Sequence, residues 1–309
     1  MPDNQAYRIH AYGGPEVLHL DDVPIPTAGP GQVLVAVKAV GANPFDWKLR
    51  EGYLRQAYPL EFPTTIGSEL AGVVMALGAG ASRFMVGDRV IGFPRLGMYA
   101  DSIVVDEDTL CRTPDALSDV MAASLPIAST TAWQLLRAAA EPRPGMTVLV
   151  HGAAGGVGGF AVQFAKAAGA TVWATASATS RDYVAELGAD TVIDYRAERF
   201  EDLVGTVDLV LDLVGGETLD RSWSVLARDG AIVSVAAPDI TARAPAGARG
   251  IFMVVRPDPE TLARIAQDVA DGRLKSRVAE VFGRADLPAA IERTRTGHGP
   301  GKVVVDFTL

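Results

Sequence analysis

Five glycines fall within eight residues, from Gly152 to Gly159, directly after the apolar run "VLV" at 148–150 and before a helix-like pattern. Strand, glycine turn and helix in that order form a frame in which backbone N–H groups at a helix N-terminus face a pyrophosphate with no side chain in the way. The dinucleotide pattern Gly-x-Gly-x-x-Gly reads here as Ala153-Ala154-Gly155-Gly156-Val157-Gly158, with alanine in place of the first glycine. Gly155, Gly156 and Val157 are therefore the candidate phosphate contacts. A tight turn serving only helix–strand packing is the structural alternative.

A second stretch bears on which dinucleotide. Folds that hold NAD usually place Asp or Glu at the end of the second strand, about 20 residues past the glycines, to bind the ribose 2′-hydroxyl. The matching stretch is "ATASATSRDY", in which Ser177 follows the strand and no acid precedes Asp182. Ser177, Ser180 and Arg181 suit a 2′-phosphate, which favours NADPH over NADH. The plainer reading is a solvated Ser/Thr loop with Arg181 at an exposed helix start.

Other chemistry finds little footing. Cys111 is the only cysteine, which excludes an intrachain disulfide and a multi-cysteine zinc site. His10, His19, His151 and His298 are scattered, so neither a metal cluster nor a triad is suggested. A net charge of −9 with no run of five like charges argues against a phosphate-neutralising surface, and so against nucleic acid. No apolar stretch reaches the ~18 residues of a spanning helix, and the start has no export pattern. The expectation is a soluble, cytoplasmic protein with no membrane partner.

The elements that must position these residues change character along the 309-residue chain. Through about residue 120, short apolar runs separated by Gly and Pro suggest an antiparallel, barrel-like β region. Residues 121–265 begin with an Ala-rich helical stretch interrupted by Pro126. Strands and helices then alternate, and near-continuous Val/Ile/Leu strands predict a parallel sheet covered on both faces. In that stretch "LDRSWSVLARDG" reads as helix and "GIFMVV", Gly250–Val255, as a sixth strand. The tail, 266–309, ends in the strand "KVVVDFTL" and is expected to return to the first domain.

"GANPFDWKLREG", "TTIGSELAGVV", "HGAAGGVGGFAVQFAKAAGATV" and "GHGPGKVVVDF" together resemble the medium-chain dehydrogenase/reductase superfamily, and within it the zinc-free quinone oxidoreductase branch that includes the zeta-crystallins. The resemblance runs over nearly the whole chain in the expected order. It implies an α/β protein in which a doubly wound Rossmann sheet binds the cofactor and a β-rich, GroES-like substrate domain is built from both chain ends. Zinc alcohol dehydrogenases of the superfamily carry Cys where this chain has Asn43, His where it has Ser68, and a third ligand near Ile127. Only Glu69 matches that pattern. Hydride delivery to an already electrophilic quinone or enone, without a metal, is the chemistry left.

By the same resemblance, Asn43 lies near the nicotinamide ribose and substrate, while Asp46 and Tyr53 line the pocket. Thr131 lies near the pyrophosphate, Tyr195 at the adenosine end, Val214 and Gly215 near the nicotinamide ribose, Ala236 near the carboxamide, and Lys302 closes the site. Asn43, Pro44 and Asp46 also suit N-cap, N1 and the first helical turn, and Tyr53 could be a packed aromatic. The leading function is NADPH-dependent reduction of a small quinone or α,β-unsaturated carbonyl by a homodimer joined through the sixth-strand edge. An enoyl-thioester reductase and a non-catalytic NADPH-binding sensor or structural protein are the alternatives.

Overall fold

A computed structural model describes residues 4–297 and 299–309; His298 lies outside the described residues. The amino-terminal half contributes β1 (Asn4–Ile9), β2 (Leu18–Val23), β3 (Gln32–Ala42), α1 (Pro44–Arg50), β4 (Thr64–Thr65), β5 (Leu70–Leu77), β6 (Arg89–Gly92), β7 (Ser102–Asp106), β8 (Leu110–Arg112), α2 (Asp119–Ala123) and α3 (Pro126–Arg137). Next come β9 (Thr147–Val150), α4 (Gly156–Ala167), β10 (Thr171–Ala176), α5 (Arg181–Glu186), β11 (Thr191–Asp194), α6 (Phe200–Leu203) and β12 (Val207–Asp212). The chain continues through α7 (Gly216–Ser222), β13 (Leu226–Ser234), α8 (Ile240–Arg243), β14 (Arg249–Phe252), α9 (Pro259–Ala270), β15 (Val278–Gly283), α10 (Leu287–Thr296) and β16 (Lys302–Asp306).

The central strands β9 to β14 form a six-stranded sheet in the order β11-β10-β9-β12-β13-β14, with every pair parallel. In β9, Val148, Leu149 and Val150 have no exposure, as expected for a strand covered on both faces. The order reverses direction at β9, which places the glycine turn at the switch point where such sheets bind ligands. The second lobe, the one expected to hold substrate, is a seven-stranded sheet, β15-β16-β3-β5-β6-β8 with β7 also on β3, plus the small sheet β2-β1-β4. β3 alternates half-buried and buried residues until its last four, all buried, where β16 runs antiparallel to it. One apolar core crosses the seam, containing Ala39, Ile91 and Val304 from the substrate sheet together with Val150 and Phe160 from the other lobe.

Three sequence expectations are corrected. "LDRSWSVLARDG" is not one helix: α7 ends at Ser222 and β13 starts at Leu226, opposite Val207 of β12, with a register shift between Val207 and Leu209 that accommodates the polar "RDG". The sixth strand stops at Phe252 rather than Val255. There the Gln134 side chain bonds both the N–H (3.0 Å) and the C=O (2.8 Å) of Arg256 and draws the chain towards α3. The boundary at 265 falls inside α9, whose Leu262, Ile265 and Ala266 belong to the central core. β14 is the edge of its sheet.

Candidate active site

The glycine turn is built around Gly152, whose φ of +70° favours glycine. That explains the tolerance of alanine one residue later: Ala153 is fully buried, and its N–H donates to Thr175 at 3.1 Å. A Cβ on Gly158 would lie 2.3 Å from the Gly152 carbonyl oxygen, so only glycine lets α4 pack on its own loop. A Cβ on Gly155, the N-cap, would meet only that same oxygen, at 3.5 Å. The face of the turn is thus open. The first N–H groups of α4, Gly156 and Val157 among them, have no partner within the helix and sit at its positive end. Packing explains Gly158; the open face at Gly155 fits a phosphate.

Around this turn the other cofactor candidates fall into two groups. A Cβ on Gly152 would touch Val214 at 3.4 Å, and one on Gly215 would lie 3.2 Å from the Ala236 Cβ. Val214, Gly215 and Ala236 are held by two residues that sequence reasoning passed over. The buried Asp212 accepts the N–H groups of Val214 (3.1 Å) and Gly215 (2.8 Å) and the Ser234 hydroxyl (2.6 Å); Ser234 in turn accepts the Ala236 N–H at 3.0 Å. The available signal was an acid closing the apolar run Leu209–Leu211 at the end of the strand. Thr131, on α3, is buried, and its hydroxyl has no hydrogen-bond partner among the described residues, an orphan that a bound phosphate or ribose would satisfy.

At the far end of the sheet, Tyr195 donates its N–H to Ala176 (3.2 Å), which sets it beside Ser177. The Ser177 hydroxyl bonds Thr179 and Ser180. Arg181 is paired with Glu198 at 2.9 Å, with both side chains substantially exposed. Arg196, also passed over, stands 5.6 Å from the Tyr195 ring.

The substrate lobe supplies a buried charged cluster. Asn43 caps α1, and Asp46 accepts its N–H at 2.8 Å. The Asn43 amide also donates to Glu69 at 2.9 Å, and its oxygen accepts the Lys302 ammonium at 2.5 Å. Lys302 further bonds Glu69 (2.7 Å) and the Ala42 carbonyl (2.9 Å). The second Glu69 oxygen takes the Ile127 N–H, 2.7 Å away at the start of α3. Glu69 therefore joins β5, α1, α3 and β16, and a Cβ on Gly41 would sit 2.2 Å from it. Lys302 lies against the glycine turn, since a Cβ on Gly156 would be 3.2 Å from its Cδ. Cap and site roles of Asn43 thus coexist.

Asp46 is fully buried under Tyr99 (2.6 Å) and Ser68 (3.2 Å). Burial pushes its carboxyl up to about 6, against the lowering pull of the Tyr99 and Asn43 hydrogen bonds. Tyr99 is raised well above the ordinary phenol value by burial and by the Asp46 charge. Tyr53 is 71% exposed and stacks edge-on against Trp47 at 5.8 Å; no hydrogen bond joins it to Asn43 or Asp46 among the described residues. His151, just before the turn, is enclosed by Thr175 (3.0 Å) and Ser222 (2.9 Å), and burial lowers it to about 4, which fits a neutral structural imidazole.

Asn43, Ser68 and Ile127 offer neither thiolate nor imidazole, and both Glu69 oxygens are already taken, so this donor set does not fit a zinc ion. No group of three or more His, Cys, Asp or Glu that could hold a metal exists among the described residues. A cavity of about 440 Å³ between β8 and α9, lined by Cys111 and Arg112, lies apart from the glycine turn. No helix among the described residues is long and apolar enough to cross a membrane.

A switch-point glycine turn facing a GroES-like lobe defines a nucleotide-dependent oxidoreductase, and comparison with known proteins places it in a family. Residues 29–115 match the alcohol dehydrogenase GroES-like domain, and residues 187–305 match a zinc-binding dehydrogenase domain. The quinone oxidoreductase of Rattus norvegicus is 35% identical over 240 residues, 75% of this chain and 72% of that one. Erythronolide synthase EryA2 of Saccharopolyspora erythraea is 36% identical over 288 residues, 89% of this chain, which spans only 8% of that protein. Among solved structures, the quinone oxidoreductase of Coxiella burnetii superposes with a TM-score of 0.93 at 33% identity, covering 98% of this chain and 99% of that one. The Escherichia coli quinone oxidoreductase complexed with NADPH gives 0.87 at 27%, and CurK enoyl reductase 0.88 at 28%, each with 98% and 99% coverage. The chain belongs to the medium-chain dehydrogenase/reductase superfamily, whose members bind a nicotinamide cofactor.

Proposed function

We propose that the protein is an NADPH-dependent, zinc-independent oxidoreductase that reduces quinones or α,β-unsaturated carbonyls by hydride transfer. The observation that carries this is the open glycine turn with the Lys302–Asn43–Glu69 cluster against it, in a site whose residues cannot assemble a zinc ion. The nicotinamide supplies the hydride. The chain's own part is to hold and orient. Gly156 and Val157 offer N–H groups to the pyrophosphate across the open face at Gly155, whose own N–H is held by the Gly152 carbonyl at 3.1 Å, with the Thr131 hydroxyl beside them. Glu69 and Lys302 fix the Asn43 amide, whose oxygen keeps a lone pair for a ribose hydroxyl. Arg181 and Ser177 receive the 2′-phosphate, with Arg181 leaving Glu198 to do so. A conjugated acceptor spreads the developing charge onto its own oxygen, so no Lewis acid is required.

The identity with the EryA2 segment and the likeness to CurK enoyl reductase favour one second reading, reduction of an enoyl thioester. The test is NADPH oxidation by chelator-treated, metal-analysed protein with 9,10-phenanthrenequinone, a short 2-alkenal, and the crotonyl thioester of N-acetylcysteamine. Turnover of the quinone or alkenal with no stoichiometric zinc is the expected result. Turnover of the thioester alone would move the assignment to the second reading. Tight NADPH binding with no turnover on any acceptor would make the protein a sensor or structural binder.

A further inference from the structure

The C-terminal return does more than complete the substrate sheet, because its segment 275–277 is fastened directly onto the glycine helix. The Gln163 side chain on α4 accepts the Lys275 N–H at 2.8 Å and donates to the Lys275 carbonyl at 2.9 Å. Ser276 bonds Ser124 at 3.2 Å. The Arg277 carbonyl accepts the Lys302 N–H at 2.9 Å, and Gly301 donates to Ala154 of the glycine turn, also at 2.9 Å. That crossing is tight: a Cβ on Gly301 would stand 2.3 Å from the Arg277 oxygen. The backbone bearing Arg277 is therefore pinned between the phosphate turn and β16.

The crevice so formed is lined by Gly156, Gly159, Tyr183, Ser276, Arg277 and Lys302, among others. Its charges are unequal. Lys302 is neutralised by Glu69. The Arg277 guanidinium has no carboxylate within 4.0 Å among the described residues and lies 5.3 Å from the Tyr183 ring centre. Tyr183 itself touches the glycine helix, its hydroxyl 3.2 Å from where a Gly159 Cβ would be. Arg277 is exposed at the mouth of this crevice, and an aromatic-backed cation that lines the same crevice as Gly156 is open to a ligand anion there.

We propose that Arg277 is a binding residue for the dinucleotide pyrophosphate, carried to the phosphate turn by the substrate lobe. The inference rests on the dinucleotide reading of the glycine turn. Because the pyrophosphate is common to both cofactors, replacing Arg277 must weaken NADH and NADPH alike.

The experiment is titration of NADPH, NADH and ADP-ribose against wild type, Arg277→Gln, Arg277→Lys and Arg273→Gln, alongside apo-protein melting curves. Arg277→Gln should weaken all three ligands about tenfold or more, the size of one lost charge-assisted hydrogen bond. Arg277→Lys should recover part of that loss. Arg273→Gln, a neighbouring surface charge paired with Asp268 and Asp271 and not lining the crevice, should stay within about threefold, which separates a specific contact from the general field. Unchanged affinity in Arg277→Gln would overturn the proposal, as would a loss confined to NADPH, which would put the residue on the 2′-phosphate. Should Arg277→Gln not fold, failure of Arg277→Lys to differ from wild type for all three ligands would overturn it. Wild type binding none of the three would overturn the dinucleotide reading and this inference together, and is the only outcome that removes both.

Discussion

The two lobes bury polar side chains in different ways. In the cofactor lobe the buried sets are local: His151 sits between Thr175 and Ser222, and Asp212 is satisfied by Ser234 and two backbone N–H groups, all from strand ends of one sheet or the elements that follow them. In the substrate lobe the set is charged and long-range. Glu69 meets Asn43 from 26 positions away, and Lys302 meets Asn43 from 259 positions away. A local neutral set shapes one loop. A long-range charged set makes the glycine turn, α3 and the Asn43 corner depend on one another, which suits a site assembled from two lobes.

That contrast predicts the largest effect at Glu69. Removing one partner of a buried ion pair leaves the other charge uncompensated and costs about 3–5 kcal/mol. Glu69→Ala should destabilise the protein by that order in urea unfolding, because Lys302 loses its paired carboxylate, keeping only the neutral Asn43 and Ala42 oxygens, and the Ile127 N–H loses its acceptor. Glu69→Leu combined with Lys302→Met should regain much of the stability. A loss below about 1 kcal/mol for Glu69→Ala would show that the cluster is not the joint described.

The lobes should also respond oppositely to pH. Asp46 has a folded-state pKa raised from 3.8 to about 6, so its contribution is present at low pH and is lost as pH rises through that interval. His151 has its folded-state pKa lowered from 6.5 to about 4, so its contribution is present above 6.5 and is lost as pH falls towards 4. Each swing is on the order of 3 kcal/mol, and in wild type they oppose each other. Asp46→Asn should therefore make stability climb more steeply between pH 4 and 6.5 than in wild type, and His151→Gln should make it fall. Urea midpoints at several pH values read the slopes regardless of any uniform loss. Parallel curves for the three proteins would contradict the assignment.

What the sequence disclosed follows the same division. The glycine turn was legible because strand, turn and helix are contiguous, and even the Ala153 substitution resolves locally through the positive φ of Gly152. Asn43 and Asp46 were legible as a cap. Tyr99 was not, since it reaches Asp46 from 53 positions away in a segment with no periodic signal. Glu69 was visible only as the remnant of a zinc pattern, and its real partners converge from β16 and α3 through tertiary packing alone. The start of β13 was missed because its polar "ARDG" resembles a helix end, while pairing with β12 decides otherwise.

The smallest predicted effect tests the central claim, that the cleft is an NADPH site. Dissociation constants of NADPH and NADH for wild type and Arg181→Ala decide it. The Arg181–Glu198 pair is exposed and contributes at most about 1 kcal/mol, so exchanging it for a 2′-phosphate costs little. The account predicts tighter binding of NADPH than NADH by wild type. In Arg181→Ala it predicts NADPH weakened about tenfold, the low end for a lost charge-assisted bond, with NADH nearly unchanged. Equal weakening of both cofactors, or a wild type that prefers NADH, would contradict it.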